Sequence, residues 1–576
     1  MAFLLSGCIK DVLDRKPLNI ISDSDVWESR QLVEVYLIAL YDAIPIGFTG
    51  TLPPESTLTD EGSYREGGNV NNFGNHAVAQ NAGMYSWIRR ANYFLERIET
   101  SSLTAEEIKL LAAECHFIRA YYYFDLVKKY GGMPIIDEVQ NFDNNLEDLQ
   151  VSRDPEDDVY EFIAAELDRA IEGLPDSWDA ANSNRATKWT ALALKSRAML
   201  YAGTIAKYGA VQLQGVVGIP AEKASAYFNL SLEASNAIME GGKFSLYTQL
   251  YDPASGSGDP AANYQNIFTD KNNSEVIFQK AYSFPDKAHS FDNHNIPEGY
   301  TTNNGSTIAP SLEIAEAYEY IDGSPGIFDV ENKEFASPDD LFKDKDPRFK
   351  ASILRTGDAF AHRPVEIWRG IYDEDGTLYQ SLVPFPKDPS RNEVGQDGPF
   401  SEGNFGKTGF YLKKYMNTSR AVVESGQSDQ NYIDIRYAEI LLNYAEAAYE
   451  LGSNIPQALD AVNRLRARAG IALLDPGELS LEKIRHERRV ELAFEDKRFW
   501  DIRRWRIGTR LFRNTFIHGL WPYLKYNNGT YTYIFEKVSG YPIDEGLSRV
   551  FNERDYYSNL SGYINTNSNI VNNPGW

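Results

Sequence analysis

The chain has 576 residues with 82 acidic and 57 basic side chains, a net charge of −25, so a nucleic-acid backbone would meet a repulsive field. Apolar residues make up 43% and charged residues 24%, the composition of a folded globular chain and not of a disordered polymer. No run of 18 apolar residues occurs, which excludes a membrane-spanning helix. Two cysteines, Cys8 and Cys115, exclude a disulfide framework and a CxxC-type zinc site. The 36 Tyr, 29 Phe and 9 Trp supply amphipathic rings suited to packing and to stacking on sugars.

Met1 to Cys8 reads MAFLLSGC, and Leu5-Ser6-Gly7-Cys8 sets small residues before a cysteine as a bacterial lipobox does. No basic residue precedes the apolar run, which is short for a secretory leader, so the start reads as truncated. Residues 1–23 are accordingly expected to form a lipoprotein tether. Helical periodicity begins at Ser24–Leu40, then predicts a hairpin of Tyr85–Glu99 and Ala105–Tyr130 closed by Gly131-Gly132 and Pro134. Further helices are predicted at Glu156–Glu172, Ala186–Tyr208 and Ala221–Glu240. Together they make an N-terminal helical part over 24–243.

From 244 to 430 the composition shifts to Asn, Gly, Asp, Ser and Pro with scattered aromatics, a strand candidate at Glu275–Lys280 and one helix near Ser311–Tyr320. Loops this long and this rich in rings point to an ordered insertion subdomain carrying binding surface. Helices return at Ile433–Leu451, Pro456–Ala469 and Leu481–Trp505, followed by an irregular tail, giving a C-terminal part over 431–576. Tyr437–Gly470 spaces its small and large residues like a tetratricopeptide unit. One such unit cannot bury its own face, so the expected fold class is mainly α, with stacked helical hairpins and a loop-rich insertion.

Signatures of chemistry are sparse. The seven histidines form no HExxH, and no metal site or cofactor is expected. Asp373-Glu374-Asp375-Gly376 lacks the ligand order of a calcium loop and reads as a turn. Glu487, Glu491 and Glu495 lie four residues apart, roughly 6 Å between β-carbons on a helix, within range for the two carboxylates of a retaining glycosidase. Arg485, Arg488, Arg489, Arg498, Arg503 and Arg504 surround them, which favours a structural ion-pair network that keeps the carboxylates ionised.

Several segments together resemble the SusD/RagB family of outer-membrane nutrient-binding lipoproteins of Bacteroidetes. They include Tyr85-x-x-Ile88-Arg89-x-Ala91-Asn92, Glu114-x-x-Phe117-Ile118-Arg119-Ala120-Tyr121-Tyr122-Tyr123-Phe124-Asp125-Leu126, Tyr130-Gly131-Gly132-x-Pro134 and Asp346-Pro347-Arg348. Arg436-Tyr437-Ala438-Glu439, Glu487-Arg488-Arg489-x-Glu491-Leu492, Arg503-Arg504-Trp505 and the terminal Asn573-Pro574-Gly575-Trp576 add to them. The resemblance implies a tetratricopeptide-like scaffold without catalysis, lipid-anchored through Cys8 in the outer membrane and facing the exterior. It implies capture of an oligosaccharide or polysaccharide for a SusC-type TonB-dependent transporter. A glycoside hydrolase using the glutamate stripe and an intracellular peptide-binding tetratricopeptide adaptor remain the alternatives.

The ligand is expected at the loop of 53–84 with the insertion loops near 284–300 and 368–372. Tyr64 and Phe73 offer rings for a pyranose face, and Asp60, Arg65, Asn72 and His76 offer hydrogen bonds in both directions. An ordinary polar loop has the same Asn and Gly enrichment. Phe291, Tyr300, Trp368 and Tyr372 are further candidates, each equally suited to plug the core.

Overall fold

Why the chain begins as two helices is visible at Ser29. In the computed structural model, which describes residues 23–48, 54–67, 83–141, 146–300, 304–400, 403, 405–418 and 424–576, Ser29 is extended and its carbonyl accepts from Val33 N–H. That divides the predicted Ser24–Leu40 helix into α1 (Asp23–Trp27) and α2 (Arg30–Asp42). Cys8 and its lipobox lie outside the described residues. The predicted hairpin is present as α3 (Met84–Ile98) and α4 (Ala105–Tyr130). Thr104 and Glu107 start α4 with a capping box, each side chain accepting the other's backbone N–H. At the far end a Cβ on Gly132 would lie 2.0 Å from Asp154 O and 2.7 Å from Val216 O, so only glycine permits this approach of three chain segments.

α5 (Glu156–Gly173), α6 (Lys188–Tyr208) and α7 (Ala224–Gly241) extend the stack, α4 packing on α5 and α6 on α7. Among the short strands that precede the C-terminal helices are β1 (Gly62–Tyr64), β2 (Val276–Lys280) and β3 (Ile308–Pro310), with β1 antiparallel to β3. Two further strands, β4 (Ile371–Tyr372) and β5 (Leu378–Tyr379), pair with each other. The helix predicted from Ile433 starts only at Tyr437. Residues before it form β6 (Tyr432–Arg436), which satisfies its backbone against β2, and α8 (Tyr437–Leu451) follows directly. α9 (Ile455–Ala469) completes the tetratricopeptide-like hairpin, with Gly452 and Gly470 left-handed at the two helix ends.

The helix predicted over Leu481–Trp505 is likewise two, α10 (Leu481–Glu491) and α11 (Arg498–Arg504). The break has a cause. The carbonyl of Glu491 accepts from Arg436 Nη2 at 2.7 Å and that of Ala493 from Lys414 Nζ at 2.7 Å, so buried cations replace the helical donors and stop the helix. The tail is not irregular throughout. β7 (His518–Asn527) and β8 (Thr530–Ser539) form a hairpin of two ten-residue strands, and β4 joins β7 in parallel to make a four-stranded sheet. Its turn, Asn528-Gly529, has φ of +47° and +84°, the demand of a type I′ turn.

One hydrophobic cluster runs through α2–α11, with Val33, Phe117, Leu194, Leu441 and Leu465 inside it. Smaller clusters, around Phe349 and Phe360, organise the segments between β3 and β6. The fold is mainly α. Among the described residues no helix is long and apolar enough to cross a membrane. Leu441, fully buried between the two halves of the stack, provides a test. Leu441→Ala should cost about 2–5 kcal/mol, read as a lower urea midpoint at unchanged slope.

Candidate ligand-binding site

The last turns of α4 present Tyr121, Asp125 and Lys128 to a cavity of about 450 Å³, closed by the Pro45–Phe48 loop, residues 282–295 and the turn between α10 and α11. Rings dominate one wall. Phe48 lies 4.5 Å from Phe291, 4.4 Å from His289 and 5.1 Å from Tyr415 between centroids, with Tyr282 4.6 Å from His289. Phe48, Tyr282 and Phe291 are half-buried, so each keeps a surface toward the cavity. His289 is held as a neutral donor. Its Nε2 donates to Gln430 O at 3.0 Å, its Nδ1 accepts from Phe291 N–H at 3.2 Å, and burial lowers its pKa to about 4.

The opposite wall is charged. Arg197 and Lys497 neutralise Asp434, which also accepts from Tyr121 Oη at 2.8 Å, and Lys129 pairs with Asp125 at 2.8 Å. Trp500 Nε1 donates to Glu55 at 3.0 Å, and Tyr432 Oη donates to Asp496 at 2.9 Å. Burial and the neighbouring Glu55 charge push Asp496 up to about 6, and burial likewise raises Glu55. Lys128 places its ammonium 4.4 Å from the Trp500 ring centre and 3.7 Å from Asp125. Donors and acceptors thus face aromatic surfaces across one space, the arrangement that holds a polyol by its hydroxyls and its C–H faces. Among the described residues no group of three His, Cys, Asp or Glu is placed to hold a metal ion, and Lys387 spans Asp373 and Glu374 in the acidic turn.

The residues singled out in the sequence part company here. Phe291 lines the cavity. Tyr64 sits on β1 opposite Ile308, a cavity residue, and is buried; Arg65 donates to Gly305 O at 2.6 Å. The Arg65 charge adds to burial in lowering the pKa of His294, another lining residue. Asp60 is committed elsewhere, in a two-point contact with Arg498 at 2.8 Å and a third with Arg489. Against the upward push of burial, those two arginines hold its carboxyl below the usual range. Tyr300 is stacked under Arg363 at 3.8 Å and donates to the Arg363 carbonyl, and Trp368 is 3% exposed with its Nε1 on Asn392 O. Tyr372 lies on β4, its hydroxyl on Glu536. None of these three lines the cavity, because each packs into its own cluster or sheet. Asn72, Phe73 and His76 lie outside the described residues. Phe48 and Tyr282 were missed although both are loop aromatics; Lys128, Asp496 and Trp500 carry no such signal, because they meet only through the tertiary fold.

The glutamate stripe is not a catalytic pair. Glu491 contacts Arg348 at 2.8 Å, Arg436 at 2.6 Å and Arg468; Glu487 contacts Arg348 and Arg466; Glu495 contacts Arg436 and Lys414 at 2.7 Å. All three carboxylates are buried. Against burial, Arg468, Arg436 and Arg348 keep Glu491 ionised far below the usual range, so it holds no proton for a leaving group.

Glu61 behaves oppositely. It is 1% exposed, and burial with the adjacent Asp60 charge pushes its carboxyl up to about 8. Unfolded, it ionises near 4.5, so the fold loses stability as pH rises from about 4.5 to about 8. Glu61→Gln should therefore melt like the parent chain at pH 4, and the gap in its favour should widen up to pH 8 and then level off.

The chain is similar to known proteins over most of its length. The model of the SusD family matches residues 265–576, and one described as starch-binding associating with outer membrane matches residues 11–200. A SusD-like protein of Formosa agariphila is 24% identical over 535 residues, covering 88% of this chain and 90% of its own. A SusD-like protein of Bacteroides fragilis superposes with a TM-score of 0.72 at 26% identity, over 98% of this chain and 100% of that one. A second from that organism, described as a SusD-like carbohydrate binding protein, superposes at 0.71 with 24% identity over 95% and 100%.

Proposed function

Because the chain belongs to the SusD family, we propose that it is a non-catalytic glycan-capturing component of an outer-membrane importer, delivering oligosaccharide to a SusC-type TonB-dependent transporter. The cavity between α4, the Phe48 loop and residues 282–295 carries the reading. It sets half-buried rings against paired donors and acceptors at a size suited to a few sugar units. Phe48, Tyr282 and Phe291 stack on sugar faces, and Glu55, Asp496 and Lys128 hydrogen-bond hydroxyls. Asn72, Phe73 and His76 remain sugar ligands in this proposal on their chemistry alone, with Tyr64 and Arg65 at the approach. Residues 244–430 act as the insertion subdomain that supplies Tyr282, Phe291 and Tyr415 to the aromatic wall. Carbohydrate binding by one structural neighbour supports this reading, and the family's association with the outer membrane speaks against an intracellular peptide adaptor.

Cys8 is proposed as the acylation site, holding the chain at the outer face of the outer membrane; several acyl chains are needed for stable anchoring. Metabolic labelling with a fatty-acid analogue should mark the chain and be lost in Cys8→Ser, and unchanged labelling would defeat the anchor.

A glycan array on the purified chain identifies the sugar, and calorimetry on variants tests the site. Phe48→Ala and Phe291→Ala should each weaken binding by roughly 1–3 kcal/mol, as truncated stacking anchors do. Trp368→Ala should lower the melting temperature and leave affinity near that of the parent. No reducing ends should appear on incubation; sustained release would restore the hydrolase. Unaltered binding in both phenylalanine variants would move the site elsewhere.

A further inference from the structure

A second cavity, of about 270 Å³, opens between the end of α6 and the C-terminal tail. Arg506, Tyr557, Gly209, Gln212 and Asn573 are among its walls. Its electrostatics differ from those of the first. Arg506 is half-buried with its guanidinium 4.7 Å from the Tyr556 ring centre and 4.8 Å from that of Tyr557. Among the described residues no carboxylate lies within ion-pair distance of it, and its hydrogen bond is from Nη2 to Tyr557 Oη at 2.6 Å. Tyr557 in turn donates to Glu156 at 2.7 Å. Glu156 thus faces Arg506 across that hydroxyl, the exposed Glu553 and Arg554 also line the cavity, and among the described residues Nε and Nη1 have no acceptor.

Three independent features show that this arginine is held in place and its surroundings kept open. Its backbone has φ of +53°, a conformation that costs a non-glycine residue energy and persists only where packing enforces it. Gly209 faces the guanidinium, and a Cβ there would lie 3.4 Å from both Nε and Nη2 and 2.6 Å from Ile205 O. Asn573 is 2% exposed, and among the described residues its Oδ1 has no hydrogen-bond partner, although its Nδ2 donates to Ser558 O. A guanidinium whose counter-ion, Glu156, is reached only through a hydroxyl keeps N–H donors for an oxyanion.

From these features we infer that the second cavity is a subsite for an oxyanion carried on a sugar, either a uronate carboxylate or a sulfate ester. Arg506 holds the anion through Nη1, the Tyr556 and Tyr557 edges flank the ring, and Asn573 Oδ1 accepts from a neighbouring hydroxyl. The inference rests on the reading of the chain as a glycan binder and specifies which glycans it favours. The first cavity balances its charges internally and shows no such preference.

Titration calorimetry of the full chain with D-glucuronic acid, D-glucose 6-sulfate and D-glucose separates the cases. At least one acid should bind saturably and tenfold or more tighter than glucose, the better of the two naming the anion. Gln212→Glu, an exposed substitution on the cavity wall, should weaken the acid several-fold by repulsion, and Arg506→Gln should abolish the preference. Phe48→Ala should leave it intact, which keeps this test apart from that of the first cavity. Should Arg506→Gln fail to fold, Gln212→Glu decides. Equal binding of acid and glucose, absence of saturable acid binding, or an unaffected Gln212→Glu variant would overturn the inference.

Discussion

The structure depends on a buried lattice of charge centred on Arg436 and Glu491. Arg436 joins Glu275, Glu491 and Glu495; Arg468 joins Glu275 and Glu491; Arg348 joins Asp346, Glu487 and Glu491. Each charge taken from water costs several kcal/mol, and attraction offsets this only when every partner is present in good geometry. The lattice therefore adds little net stability but admits few arrangements. Glu275, Arg348 and Lys414 come from the segments between α7 and β6, whereas Arg468 and the glutamates come from α9, α10 and the turn that follows. Completing the lattice thus sets where the loop-rich segments dock on the helices.

The principal cavity inherits that docking. Tyr415 follows Lys414 directly, Tyr432 starts the strand that ends in Arg436, and Phe494, Asp496 and Lys497 bracket the turn in which Glu495 is anchored. The wall residues are thus one to a few positions from charges whose places are not free to vary. This gives preorganisation at a site assembled from distant segments, where ordering loops on binding would otherwise weaken affinity. The aromatic wall adapts least, since Phe48, His289, Phe291 and Tyr415 pack on one another.

The two cavities distribute charge by different rules. In the first, cations and carboxylates pair across the wall, and the elevated pKa of Asp496, about 6, leaves part of the acidic charge neutral only near and below that pH. What remains is a field of donors and acceptors suited to hydroxyls. In the second, the Arg506 guanidinium is stacked between tyrosines and faces Glu156 across the Tyr557 hydroxyl, with Glu553 and Arg554 exposed on the wall. An overall charge of −25 says nothing about either, because fields inside a cavity are set by groups a few ångströms away and distant surface charge is screened by salt.

Local signals determined much of this protein. Thr104 with Glu107, Gly131-Gly132 and Gly452 mark helix ends through backbone hydrogen bonding and permitted φ, and α4 and the end of α8 lie where the sequence places them. The Asn528-Gly529 turn between alternating residues is an equally local hairpin signal in the tail. The glutamate stripe was rightly a network, since an arginine-rich neighbourhood dictates ionisation whatever the fold. Where α10 ends was not legible, because the donors that stop it, Arg436 and Lys414, are remote in sequence. Nor was the fate of Asp60, which looks like a sugar ligand beside Tyr64 until Arg498 arrives from the other end of the chain. Propensity and capping act over a few residues and can be read along the chain. Burial and charge pairing act across space, so the tertiary structure alone decided which of many loop aromatics face a cavity and which carboxylates are left to bind.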